Sequence, residues 1–315
     1  MKHNYPAVHP DLRFFARFTP KITYNHRNVR LFHRFLGAIR VSKPPRDVLI
    51  HEAWIPRYEG QAKLRLRVYQ PKSITSPAAA MLWLHGGGYI MGKPEQDDKR
   101  CIQFVRELGM MVVSVDYRLA PQFPFPAALE DSFIALKWLG YHAQQINVDS
   151  RRIVVAGASA GGGLAAAVAQ YAYDRPSVQP AFQLLIFPML DDRTVGRGDD
   201  TPSANVIWNQ ENNRFGWESY LGMPCGGDSV PEYAVPARRK DLSGLAPAWI
   251  GVGTLDLFHD ESLAYAQRLQ KAGVDWEAVE VPGAFHGFDI YNAHLPVVRD
   301  FRASQIAALK KALAI

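Results

Sequence analysis

Cysteine is scarce in this sequence. Cys101 and Cys225 are the only two, and neither lies in a C-x-x-C pair or a metal-spaced cluster, so a bound metal and a disulfide framework are both disfavoured. Long apolar runs are missing as well. No stretch approaches the roughly 18 residues a membrane span requires, and charges and prolines interrupt the first 21 positions where a secretory signal would need an apolar core. These features predict a cytoplasmic protein with no membrane span. There is no low-complexity tract or fixed-period repeat, which excludes fibrous and solenoid classes. There is also no P-loop lysine and no G-x-G-x-x-G spacing, which argues against a phosphate-binding turn.

The 315 residues are 48% hydrophobic and 21% charged, enough apolar material for one large core or for a core carrying an insertion. The formal net charge is +6, and basic residues crowd the start (Arg13, Arg17, Lys21, Arg27, Arg30, Arg34, Arg40, Lys43, Arg46). An anionic partner would suit that density. However, Phe32, Phe35, Leu36 and Ile39 recur at helical spacing in the same segment, which predicts an amphipathic helix packed on the body with a solvated basic face and no nucleic-acid partner.

From Met81 onward, short apolar runs alternate with helical patterns, the pattern of a mostly parallel sheet covered by helices. The runs Met81–Leu84, Met111–Val115, Ile153–Ala156, Gln183–Phe187, Ala248–Gly253 and Glu277–Val281 read as buried strands. Helices are predicted over Lys99–Leu108, Ala127–His142, Ala160–Tyr173, Glu261–Ala272 and Val297–Leu313. Two regions break the alternation, the first 45 or so residues and the stretch from Asp191 to about Leu245. Long insertions in α/β folds tend to sit over the active edge. The chain therefore divides into an N-terminal cap segment (1–45), a core (46–190 and 246–315) and a cap insertion (191–245).

Gly157-Ala158-Ser159-Ala160-Gly161 fits G-x-S-x-G between a strand candidate ending at Ala156 and a helix opening at Gly162. Such a turn thrusts the serine hydroxyl out at the carboxyl edge of the sheet, above a helix N-terminus whose free N–H groups favour an oxyanion. The N–H of Ala160 is the natural first donor. His85-Gly86-Gly87-Gly88 follows another strand and bares main-chain N–H groups, so Gly87 and Gly88 are assigned as the other donors. His85 itself is read as orienting that loop. A serine needs an imidazole base and a carboxylate to hold the imidazole, in the chain order Ser, acid, His on a sheet of this kind. Of His259, His286 and His294, only His286 lies in a loop directly after a strand. Asp256 follows the strand Ala248–Gly253, whereas Asp260 and Glu261 read as acids at a helix start. Tyr89, Trp208 and Phe215 are the candidate substrate contacts. Phe14, Phe18 and Trp217 are further aromatics that either line a pocket or fill a cap core.

With these residues in place, the chain resembles the hormone-sensitive-lipase-like branch of the α/β-hydrolases, the bacterial family IV esterases. The likeness extends through Asp116-Tyr117-Arg118-Leu119-Ala120-Pro121, Pro124-Phe125-Pro126-Ala127-Ala128, Tyr220-Leu221-Gly222, Pro236-Ala237-Arg238, Asp241-Leu242-Ser243-Gly244-Leu245 and Asp256-Leu257-Phe258-His259-Asp260-Glu261. It implies an eight-stranded, mostly parallel sheet with helices on both faces, a helical cap, no cofactor, and hydrolysis of short to medium acyl esters by Ser159, Asp256 and His286. The partner is then a small ester. A homodimer is common in this family, although no interface is readable in the sequence. Ala158 stands where the family often has Asp, and Leu257 where it often has Pro. Two rivals share the fold: an arylformamidase-like amidase with the same triad, and a ligand-binding receptor, which would lack the histidine present here as His286.

Overall fold

Successive residues of the apolar strands enter two separate cores, and this period-two division organises the molecule. The computed structural model describes residues 6–29, 45–57, 62–73, 76–196 and 206–315. Its strands are β1 (Val48–Ile55), β2 (Leu64–Pro71), β3 (Ala78–Leu84), β4 (Met111–Val115), β5 (Val148–Ala158), β6 (Phe182–Ile186), β7 (Ala248–Gly253) and β8 (Trp276–Val281). They form one eight-stranded sheet in the order β1-β2-β4-β3-β5-β6-β7-β8. β1 and β2 are antiparallel to each other, β2 is antiparallel to β4, and all later pairings are parallel.

The helices are α1 (Arg13–Phe18), α2 (Asp98–Leu108), α3 (Ala127–Tyr141), α4 (Ala160–Tyr173), α5 (Gln210–Leu221), α6 (His259–Lys271) and α7 (Pro296–Leu313). Ala80, Leu82 and Leu84 of β3 join Ile153 and Val155 of β5 in a core covered by α3, α4 and α6, through Leu136, Leu164 and Leu269. Met81, Trp83, Val154 and Ala156 point the other way, into a core closed by α2 and α7 through Phe104, Phe301 and Leu309. Each large side chain so buried contributes roughly 1.5–3 kcal/mol, and a slip of one residue would exchange the two sets, so the register is strongly specified.

β1 and β2 were not marked by the apolar runs. β1 is an edge strand whose only buried residues are Val48 and Ile55, and the inward Leu64, Leu66 and Val68 of β2 are separated by Arg65 and Arg67. Strand β5 begins earlier than the run Ile153–Ala156 suggests, and α6 begins at His259 rather than Glu261. At the chain start, Val8, Leu12 and Ala16 enter the second core, and the His9 N–H donates to the Gly283 carbonyl at 2.8 Å. The amphipathic stretch Phe32 to Ile39 lies outside the described residues. Among the described residues, no helix is long and apolar enough to cross a membrane.

The strand order locates the working edge. After β3 the chain passes to β4 on one side and then crosses back to β5 on the other. The loops leaving β3 and β5 therefore diverge and open a crevice at the carboxyl edge, where ligands bind in open α/β sheets.

Candidate active site

Strand β5 runs straight into Ser159, and α4 begins at the next residue. Ser159 has φ 58° and ψ −124°, a region that L-residues adopt at a cost of about 1–3 kcal/mol. The surroundings hold it there: its N–H donates to the Ile186 carbonyl at 2.9 Å, and its carbonyl accepts from the N–H groups of Gly163 and Met189, both at 3.0 Å. The flanking glycines are required by close approach. A Cβ on Gly157 would lie 2.2 Å from the Gly161 carbonyl oxygen, and one on Gly161 would lie 2.0 Å from that of Leu84. The two residues thus let α4 lie against the end of β3.

Parallel β7 and β8 deliver two further groups to the same edge. Asp256 leaves β7 by a turn in which its N–H donates to the Gly253 carbonyl at 3.1 Å, and the loop after β8 brings His286 opposite. The His286 Nε2 lies 2.9 Å from Ser159 Oγ, and its Nδ1 lies 3.0 and 2.9 Å from Asp256 Oδ1 and Oδ2. Asp256 Oδ1 also accepts the Phe258 N–H at 2.9 Å, which fixes the carboxylate. Phe187 and Phe258 set their rings edge-on to the imidazole, each with centroids 5.0 Å away. All three polar side chains are buried, so their hydrogen bonds act in a low-dielectric setting.

The loop after β3 closes the other side. Gly87 (φ 126°) and Gly88 (φ 61°) both adopt backbone conformations that favour glycine, and the Gly87 carbonyl accepts from the N–H groups of Ile90 and Met91. Among the described residues, the N–H groups of Gly87, Gly88 and Ala160 have no internal acceptor. His85 is fully buried. Its ring stacks on Tyr117 at 4.2 Å, its Nδ1 lies 2.9 Å from the Gly86 carbonyl, and burial pushes its pKa down. The Gln96 amide also donates to the Gly86 carbonyl, at 3.2 Å.

Of the other predicted contacts, Trp208 lies against this loop, so that a Cβ on Gly88 would be 2.1 Å from its ring. Phe215, half-buried on α5, meets His26 edge-on at 5.0 Å. Tyr89 is not brought into the site. Its ring is buried and stacked on Tyr220 at 3.9 Å, because its backbone (φ 62°) turns the side chain back into the core beneath α5. His259 pairs with Asp260 and Glu280 at 3.0 and 2.8 Å, and His294 is exposed.

Glu261 departs from its expected role at a helix start. It is buried, and its carboxyl oxygens accept the N–H groups of Leu190 and Asp191 and the Thr194 hydroxyl. Ile207 was also missed; it stands against Gly287, beside the histidine. Ile207 carried no sequence signal, and the motif that contains Glu261 did not reveal its partners, since both residues act on segments remote along the chain.

A model of the α/β hydrolase fold matches residues 81–290. The carboxylesterase NlhH of Mycobacterium tuberculosis is 33% identical over 257 residues, which cover 81% of each chain. An ethyl acetate hydrolase of Pseudomonas putida is 33% identical over 229 residues, or 71% of each chain. Among solved structures, a bacterial heroin esterase superposes with a TM-score of 0.87 at 33% identity, covering 98% of this chain and 99% of its own.

Proposed function

Because the chain belongs to the hormone-sensitive-lipase-like branch of the α/β hydrolase fold and is a carboxylesterase, we propose that Ser159 is its nucleophile, His286 its base and Asp256 the carboxylate that orients the base. The observation carrying this reading is the line from Ser159 Oγ through His286 to Asp256, with every step near 3 Å.

His286 Nε2 takes the hydroxyl proton as Ser159 Oγ bonds to the ester carbonyl carbon, and Asp256 stabilises the resulting imidazolium. The oxyanion accepts from the N–H groups of Gly87, Gly88 and Ala160, beside the positive end of α4. Collapse of the tetrahedral intermediate breaks the bond to the alcohol oxygen, which leaves with the proton from His286. Water, deprotonated by the same nitrogen, then releases the acid and restores Ser159.

We assign short to medium acyl esters as substrates. The activity for which the ethyl acetate hydrolase of Pseudomonas putida is named supports this, as does the Trp208 ring packed against Gly88 of the glycine loop. The division into an N-terminal cap (1–45), a core (46–190 with 246–315) and a cap insertion (191–245) is part of the same reading. Its support is that Asn212 of α5 accepts the Tyr24 N–H at 2.8 Å and donates to the Ile22 carbonyl at 2.7 Å, joining the first segment to the insertion. Cys101 and Cys225 are free thiols, in keeping with a cytoplasmic location.

A p-nitrophenyl ester series from acetate to palmitate tests the assignment. Turnover is expected to be highest on the shorter chains and to fall at least about a thousandfold in Ser159→Ala. Full activity in that variant, or no hydrolysis by the wild type, would overturn it.

A further inference from the structure

His286 sits midway along a loop held at both ends. Upstream, the Gly283 N–H donates to Thr254 Oγ1 at 2.9 Å and the Gly283 carbonyl accepts from His9. Downstream, the hold is electrostatic. Asp289, three residues past the histidine and fully buried, accepts from Arg100 Nη2 at 2.7 Å, and its main-chain carbonyl accepts from Arg302 at 2.7 Å. Arg100 lies on α2, the helix that follows the glycine loop. Its guanidinium covers the ring of Trp83 at 5.4 Å, and the Trp83 indole donates to Asp97 at 2.8 Å. Trp83 is the second-last residue of β3, the strand that ends in His85-Gly86-Gly87-Gly88. One unbroken chain of side chains therefore joins the strand carrying the glycine loop to the loop carrying the histidine.

A buried pair of this kind is a poor source of stability, because removing both charges from water costs about as much as their attraction returns, and apolar residues of the same volume usually do as well. What an ion pair supplies and an apolar pair does not is a fixed distance and direction. Arg100 Nη1 and Asp289 Oδ1 are buried without hydrogen-bond partners, so the Nη2–Oδ2 bond alone aligns the two groups, although Asp97 and Arg302 stand near enough to act on them electrostatically. We propose that Arg100 and Asp289 are positioning residues for ester hydrolysis, setting His286 at the correct distance from Ser159 and the glycine loop. This rests on the assignment of His286 as the base.

The test compares Asp289→Asn, Arg100→Lys and His286→Ala with wild type on p-nitrophenyl butyrate, with circular dichroism and thermal melting as checks on folding. Asp289→Asn is expected to lower kcat about ten- to a hundredfold with KM within about twofold, because misplacing the base penalises the transition state and leaves ground-state binding alone. Inactivation of Ser159 by an alkyl phosphonate should slow in parallel. Arg100→Lys, which keeps the buried charge but shortens its reach, should shift kcat in the same direction, and it decides the matter if Asp289→Asn does not fold. A folded variant that melts lower but turns over at the wild-type rate would make the pair merely structural and overturn the proposal. If His286→Ala stays active, the assignment of the base itself fails. If His286→Ala is inactive while both other variants keep full kcat, only the positioning role falls.

Discussion

Glu261 shows most sharply how one side chain changes meaning on folding. It stands five positions after Asp256, and in the sequence it is an acid at a helix start, suited to the helix dipole. In the fold it reaches away from its own helix to the backbone of Leu190 and Asp191, just beyond the segment that hydrogen-bonds the Ser159 carbonyl. Burial pushes its carboxyl from 4.5 up to about 8, against the lowering effect of its hydrogen bonds to Thr194 and Leu190 and with a further upward push from Asp191. Between those two pH values the unfolded chain has released the proton while the folded chain keeps it. The native state then binds more protons, and stability falls as pH rises through the window and levels off above about 8. Thermal melting across that range is expected to show a downward slope in wild type and a flatter one in Glu261→Gln, which has no proton to lose. Equal slopes would mean that the carboxyl is ionised throughout. Tyr89 makes the converse point, since a tyrosine beside a glycine loop looks available to substrate until its positive φ turns it into the core.

At the level of elements, the strand-turn-helix around Ser159 depends on how closely three backbones can approach. The end of β3, the end of β5 and the first turn of α4 meet at Gly157 and Gly161, where any Cβ would strike main-chain carbonyls that cannot rotate away. Gly161→Ala is expected to destabilise the protein by about 1–3 kcal/mol, the usual cost of overpacking, or more if β3 cannot shift. It should also reduce turnover by moving the glycine loop away from Ser159. Denaturant midpoints and kcat on the same preparation check both, and an unchanged midpoint would mean that the helix simply slides. The pentapeptide was legible because this steric demand is local: it falls on residues a few positions apart, and the sequence displays them together. The edge strand β1 was not legible, because pairing with β2 alone lets His51 and Glu52 stay exposed and erases the apolar run.

For the whole molecule, Asn212 joins regions separated by nearly the full span of the insertion and the core. It is fully buried, and both halves of its amide satisfy main-chain groups of Ile22 and Tyr24. Asn212→Ala would remove both hydrogen bonds, and the Ile22 carbonyl would lose its side-chain donor, a loss of about 1–3 kcal/mol if it stays buried. Because Tyr24 also meets Trp208, whose ring covers Gly88, loosening this joint is expected to raise KM and to speed proteolysis near residue 24 while kcat changes little. A kcat loss with unchanged KM would place the effect at the chemistry instead. The sequence by itself determined the reaction class and the α/β architecture and singled out Ser159, Asp256 and His286 as the proposed triad, because each is announced by short-range pattern: apolar period, turn glycines, and position just past a strand. Tertiary structure alone decided that Trp208 packs against the glycine loop while Tyr89 turns into the core, where Glu261 bonds, and that Arg100 meets Asp289 across 189 positions. Those outcomes depend on strand order and helix packing, and contacts between distant segments leave no local period from which to read them.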